Sequence, residues 1–172
     1  MTAFSVADSV CHCSTQPVFD ERDFRNALGQ FATGVTVVTT CDPDGQPVGI
    51  TVSSFNSVSL VPPLVLWSLG RATSITPIFN VCSYYAIHIL AQEQLPMAIQ
   101  FAARGIDRFA GIGWQPNAQG IPILQGTLAT FECSTRKRYE EGDHIIMIGE
   151  VLQYSYRHGP PLLYHDGQMR GL

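Results

Sequence analysis

The residues that could do chemistry are concentrated in one segment, Gly49-Ile50-Thr51-Val52-Ser53-Ser54-Phe55-Asn56-Ser57-Val58-Ser59. It leaves an apolar run and places hydroxyls and an amide at close intervals. Hydroxyls and free backbone N–H groups at a strand end suit a phosphate or the polar edge of a ring. A loop capping its own backbone has the same composition, and the residues alone leave both readings open. Other chemistries lack their signatures. Gly111-Ile112-Gly113 runs into Trp114 within a loop, so a dinucleotide-binding strand–turn–helix is not supported. There is no P-loop, no nucleophile elbow and no HExxH. His144 stands beside Asp143, but no serine on a recognisable turn joins them, which argues against a serine hydrolase. Cys11-His12-Cys13 looks like half a metal site. No second ligand pair follows at finger-like spacing and adjacent ligands are geometrically awkward, so no metal is expected.

The chain has 172 residues, which suits one domain. Charged residues are 14% of it, against roughly 25% in an average globular domain. From Gly45 through Arg104 the only charges are Arg71, Glu93 and Arg104. A surface this poor in charge is expected to be covered by a partner subunit, a cofactor or both. The net charge of −4 and the absence of any basic run longer than Arg136-Lys137-Arg138 argue against nucleic acid. The uncharged run 46–70 contains Pro47, Gly49, Asn56, Pro62, Pro63 and several serines, so a membrane helix is not expected. Residues 1–18 lack a basic n-region and a continuous apolar stretch, and read as a mobile tail rather than a secretory signal. Five cysteines (Cys11, Cys13, Cys41, Cys82, Cys133) show no disulfide rhythm, which predicts a reduced, cytoplasmic protein.

These residues must be positioned by elements of short period. Phe19, Phe24, Ala27, Leu28 and Phe31 have helical spacing, with Asp20 as cap and Gly34 as stop. Val35–Thr40 and Val48–Val52 read as a hairpin about Asp42-Pro43-Asp44-Gly45. Leu64–Leu69 reads as a strand started by Pro62-Pro63, Ser74–Asn80 as a short helix, Tyr84–Leu90 as a strand and Gln92–Arg104 as a helix. His88, inside an apolar strand, reads as a satisfied core residue. Residues 105–125 read as Gly/Pro-rich loop. Gly126–Tyr139 and His144–Tyr156 read as long strands joined at 140–143, and Leu162–Tyr164 as a last short strand. Strands joined mostly by turns predict an antiparallel barrel with a few covering helices over residues 19–172.

The run Phe24–Thr39 (FRNALGQFATGVTVVT) resembles the opening of the flavin reductase-like family with the FMN-binding split barrel. The resemblance continues through Gly49–Ser59, Pro62-Pro63-Leu64-Val65-Leu66, Gln100-Phe101-Ala102, Arg108-Phe109 and Phe131-Glu132-Cys133. It ends through Gly142-Asp143-His144, Ile148-Gly149-Glu150-Val151 and Pro161–Gly167. These pieces fall in family order across about residues 20–172. The resemblance implies a mainly β, Greek-key split barrel that pairs as a homodimer. It also implies an NAD(P)H:flavin oxidoreductase that passes a hydride to FMN, with FAD or riboflavin left open. In many members the reduced flavin then feeds a separate monooxygenase. A flavin carrier or electron-transfer module on the same barrel is the alternative.

By this resemblance Thr51, Ser53, Ser54, Asn56 and Ser57 match the flavin-contact segment, with Trp67 and Ser68 on the neighbouring strand. An FMN phosphate carries roughly −2 charge. Arg71 and Arg108 are its candidate guanidinium partners, with Thr73 and Ser74 supplying hydroxyls. Ser74 is equally suited to a plain N-cap. Phe101 and Phe109 are possible ring neighbours that also suit a core. His144 matches the family's Gly-Asp-His element and is expected beside the nicotinamide, together with Tyr164 and Met169. Hydride transfer needs two stacked rings rather than a base, so no catalytic acid or base is expected. Met169 stands where many members carry an aromatic residue, which weakens any expectation of aromatic closure by this tail. No motif reads a 2′-phosphate, so the co-substrate is NADH or NADPH.

Overall fold

The computed structural model describes residues 19–171; the expected tail and Cys11-His12-Cys13 lie outside them. Asp20 caps the first helix, α1 (Glu21–Gly29). Its Oδ1 accepts from the amides of Arg22 and Asp23 at 2.8 and 2.9 Å. The helix stops at Gly29 rather than at Gly34, because Gly34 belongs to a two-residue strand, β1 (Thr33–Gly34). The β-branched run forms β2 (Thr36–Cys41), and β3 (Pro47–Val52) returns beside it. Their turn is closed by Asp42, whose Oδ1 accepts from the amides of Asp44 and Gln46.

Next come β4 (Asn56–Leu60) and β5 (Pro63–Gly70). The sequence reads β4 as loop. Its backbone instead pairs with β5, and its largely exposed side chains leave no apolar alternation to signal a strand. The helix α2 (Thr76–Val81) begins after Ile75, so Ser74 is not its cap. The strand β6 (Tyr84–Ile89) follows, then a 3-10 turn (Gln92–Gln94) and α3 (Leu95–Ala102). The expected loop 105–125 contains a short hairpin, β7 (Trp114–Pro116) with β8 (Pro122–Leu124). Asn117 organises its turn by accepting from the amides of Gln119 and Ile121. Two long strands, β9 (Ala129–Glu141) and β10 (His144–Tyr156), precede a closing hairpin of β11 (Leu162–His165) and β12 (Gln168–Gly171). The sequence reading omits β12, which is only four residues long.

The main sheet runs β3-β2-β6-β9-β10-β5-β4, antiparallel at every pairing, and a smaller one runs β1-β11-β12. The large sheet curls until the chain leaving β3 meets β5. Ser54 Oγ accepts from the Ser68 amide at 2.9 Å and donates to the Ser68 carbonyl at 3.1 Å. Two apolar clusters result. Val38, Trp67, Phe79, Tyr85, Ile145 and Met147 fill one. Val35, Val37, Leu90, Phe101, Phe109 and Leu124 fill the other, beneath α3. β2 feeds both, which is why its β-branched run is buried on both faces. His88 is fully buried between β2 and β8, with Nδ1 on the Val37 carbonyl (3.1 Å) and Nε2 accepting from the Leu124 amide (3.2 Å). Burial pushes its pKa down to about 4.

Candidate functional site: a groove lined by paired arginines

Where β3 passes α3, the fold leaves a hollow of about 540 Å³, lined by Thr51, Thr73, Ser74, Arg104 and Arg108 among others. It shares Thr51 and Ala102 with a hollow of about 110 Å³ that reaches Ser53, Tyr164 and Met169. On its other side it shares Ala72, Thr73 and Ser74 with one of about 560 Å³ beside Arg71. The three adjoin as one groove. A separate hollow of about 330 Å³, by Tyr84, Asn117 and Glu132, shares none of these residues.

Of the three arginines that line the groove, Arg108 is the most firmly held. Its Nε donates to the Ala103 carbonyl at 2.8 Å and its Nη1 to the Gly49 carbonyl at 2.7 Å. Gln100 holds the same loop by donating to the carbonyls of Arg108 and Ala110 at 3.0 and 2.9 Å. Burial, and then the like charge of Arg104, lower the Arg108 pKa. Two guanidinium groups facing one hollow repel each other, and an anion between them would relieve that repulsion. With Ser74 opposite, and Thr73 beside it once its hydroxyl turns from Thr76, the donor set fits a phosphate. Arg104 is absent from the sequence-based candidates. Its signal is its place at the end of the charge-poor stretch, four residues before Arg108.

Thr51 also lines the groove, and its hydroxyl donates to the Ala98 carbonyl at 2.7 Å, tying β3 to α3. Thr73 Oγ1 lies 2.7 Å from Thr76 Oγ1, and Thr76 donates to the Gly70 carbonyl. Behind β3, Phe101 is fully buried. A Cβ on Gly49 would stand 2.5 Å from its ring, so only glycine lets the strand approach this closely.

Several expected ligand residues are placed otherwise. Trp67 is fully buried and packs edge-on to Phe79 and Tyr85 at 5.0 and 5.8 Å, so its ring is core and does not face the groove. Phe101 is core for the same reason. Phe109 is held edge-on between Phe101 and Trp114 and reaches only a side hollow next to Arg108. Ser54 and Ser68 bond to each other across the curled sheet, outside the three hollows. Asn56 and Ser57 are exposed on β4 and line none of the three. Arg71 is half exposed and pairs with Glu140 at 3.3 Å. His144 Nδ1 lies 2.7 Å from Asp143 Oδ1, and this hydrogen bond is the main cause holding the Asp143 carboxyl below its ordinary pKa. His144 pairs with Gly70 in the β5–β10 ladder. It therefore sits at the Arg71 end, while Tyr164 and Met169 sit at the other.

Among the described residues no group of three or more His, Cys, Asp or Glu is placed to hold a metal ion. Nor is any helix there long and apolar enough to cross a membrane.

Comparison with known proteins bears on the family and the fold. Residues 28–172 match the model of the flavin reductase like domain. The chain is 47% identical over 148 residues to FMN reductase (NADH) SmoA of Agrobacterium fabrum, covering 86% of this chain and 84% of that one. It is 41% identical over 154 residues to the flavin-dependent monooxygenase reductase subunit HsaB of Rhodococcus jostii, covering 89% and 78%. The fold superimposes with a TM-score of 0.83 on Streptomyces globisporus NADH:FAD oxidoreductase SgcE6, solved with NAD and FAD fragments, at 35% identity over 88% of this chain and 92% of that one. By these matches the chain belongs to the flavin reductase-like domain family.

Proposed function

We propose that the chain is the reductase of a two-component system, using NADH to reduce FMN that a separate monooxygenase then consumes. The observation that carries this reading is the Arg104–Arg108 pair opening on a hollow that runs on beneath Tyr164 and Met169. The FMN phosphate is assigned to Arg104, Arg108, Thr73 and Ser74, and the ring to the stretch past Thr51. A bound flavin supplies the hydride acceptor. The protein's part is to bind, orient and exclude water: Arg108 is pre-set by two carbonyls, and Thr51 fixes β3 against α3. No side chain is assigned a proton-transfer role. The choice of NADH and FMN follows the relative named FMN reductase (NADH).

The chain is further assigned to a split-barrel homodimer in a reducing, cytoplasmic setting. Phe31, Leu60 and Val61 are 74%, 89% and 92% exposed, and large apolar side chains of this kind suit a face covered by a second subunit. The described cysteines, Cys41, Cys82 and Cys133, are all free thiols.

The test is NADH consumption by purified protein with and without added FMN. Flavin-dependent consumption is expected. FMN binding with no turnover on either nicotinamide would convert the reading to a flavin carrier, and no binding would remove it.

A further inference from the structure

The β11–β12 hairpin carries one wall of the small hollow and has few neighbours. In the sheet β12 pairs with β11 alone, and β11 otherwise pairs only with the two-residue β1; beyond the ladder both strands touch the 3-10 turn, and Tyr164 and Met169 lean on the second apolar cluster. Tyr164 and Met169 lie directly opposite one another in this ladder, and both face the hollow that contains Thr51 and Ser53. The base of the hairpin is fixed: Leu162 is fully buried, its amide donates to the Leu90 carbonyl and its carbonyl accepts from the Val35 amide, both at 3.0 Å. A two-stranded ribbon fixed only at its base would leave its tip, and Met169 with it, free to swing.

The tip is fixed by α1. Asp166 and Gly167 turn the hairpin with φ of 50° and 73°, and Asp166 is the one non-glycine with a positive φ among the described residues. The Asp166 amide donates to the Gly29 carbonyl at 2.8 Å, and Gln30 Nε2 donates to Asp166 Oδ1 at 3.2 Å. The Gly29 carbonyl is at the helix end, where carbonyls lack partners within the helix, so the hairpin supplies what α1 cannot. Gly29 is also the buried residue of α1, whose other residues are exposed. A Cβ there would lie 3.6 Å from Asp166 Cα, so helix end and hairpin tip are in van der Waals contact.

We propose that Asp166 and Gln30 are positioning residues for the nicotinamide half of the reaction: by tying the hairpin tip to α1 they set where Tyr164 and Met169 stand over Thr51 and Ser53. This rests on the reading that the small hollow receives the nicotinamide. The flavin phosphate is assigned to the adjoining Arg104–Arg108 hollow, away from the hairpin, so the tie acts on nicotinamide use far more than on flavin affinity.

Three variants isolate the contact. Asp166→Gly keeps the backbone freedom the turn needs and removes the acceptor. Asp166→Asn keeps both the freedom and an acceptor oxygen. Gln30→Ala removes the donor. Steady-state kinetics at saturating FMN should show the KM for NADH rising about threefold to tenfold in Asp166→Gly and in Gln30→Ala, as loss of one hydrogen bond allows. The kcat and the FMN Kd stay near wild type, and Asp166→Asn restores the KM. Met169→Gly tests the underlying reading separately. An unchanged KM in Met169→Gly would remove the nicotinamide from this hollow and the proposal with it. A raised KM there, with Asp166→Gly and Gln30→Ala both unchanged, would overturn the positioning role alone. So would an FMN Kd that weakens in step with KM, because that marks general loosening.

Discussion

At the arginine end of the groove, Phe101 is fully buried beneath β3 and Arg108 is held by two backbone carbonyls. At the hairpin end, Met169 is half-buried on a strand with a single strand neighbour, leaning on the edge of the second apolar cluster and steadied by contacts at an exposed tip. The first region is built into the core; the second is hung from it. A ligand recognised by the first meets donors already in place and pays little to order them. A co-substrate that must enter and leave in every turnover meets a wall that yields more readily. Strong and weak anchoring in adjoining hollows of one groove thus match two ligands of different residence.

The largest expected effect breaks the rigid end. Phe101→Ala should cost about 3–5 kcal/mol of stability, read as a lower urea midpoint, because a fully buried ring leaves a cavity. Met169→Ala, on a half-buried hairpin residue, should cost roughly 1 kcal/mol or less. Equal losses would erase the contrast.

Acid should also act on the rigid end. His88 bonds Val37 and Leu124, which belong to the same cluster as Phe101. Its folded pKa of about 4 lies below the unfolded value of 6.5. Between those values the unfolded chain binds more protons, so stability falls as pH drops from 6.5 toward 4 and this group takes no more below that. The full loss is on the order of 3 kcal/mol, and a His88→Gln variant should lack this slope in urea titrations at successive pH values. An identical slope in the variant would assign the acid sensitivity elsewhere.

The smallest effect concerns Arg71. It is half exposed and paired with Glu140, so its removal should change FMN affinity by less than about twofold. A loss as large as that of Arg108→Ala would move the phosphate into the hollow beside Arg71.

The sequence made the framework legible where burial imposed a period. β2 shows as an unbroken β-branched run because both its faces are covered, and α1 shows through its cap and spacing. β4, the β7–β8 hairpin and β12 are too short or too exposed to carry a pattern. Within the site, Thr51, Thr73, Ser74 and Arg108 were legible and do meet in one hollow. Core packing and ligand contact are both open to Trp67 in the sequence, because Leu64, Leu66, Val65 and Leu69 make both faces of β5 apolar and alternation does not say which way the indole points. Arg104 stands in no local motif of a site, because Thr51, its neighbour there, is distant in sequence and only packing of α3 on β3 brings them together.

The central claim is that the arginine end holds the flavin phosphate. The direct measurement is the Kd of FMN and of riboflavin, by quenching of flavin fluorescence, in the wild type and in Arg104→Ala. Arg104 makes no ion pair among the described residues, so its loss should leave the fold intact. FMN should weaken about tenfold, as loss of a charge-assisted phosphate contact allows, while riboflavin stays within roughly twofold. Equal weakening of both flavins, or no change in either, would contradict the account.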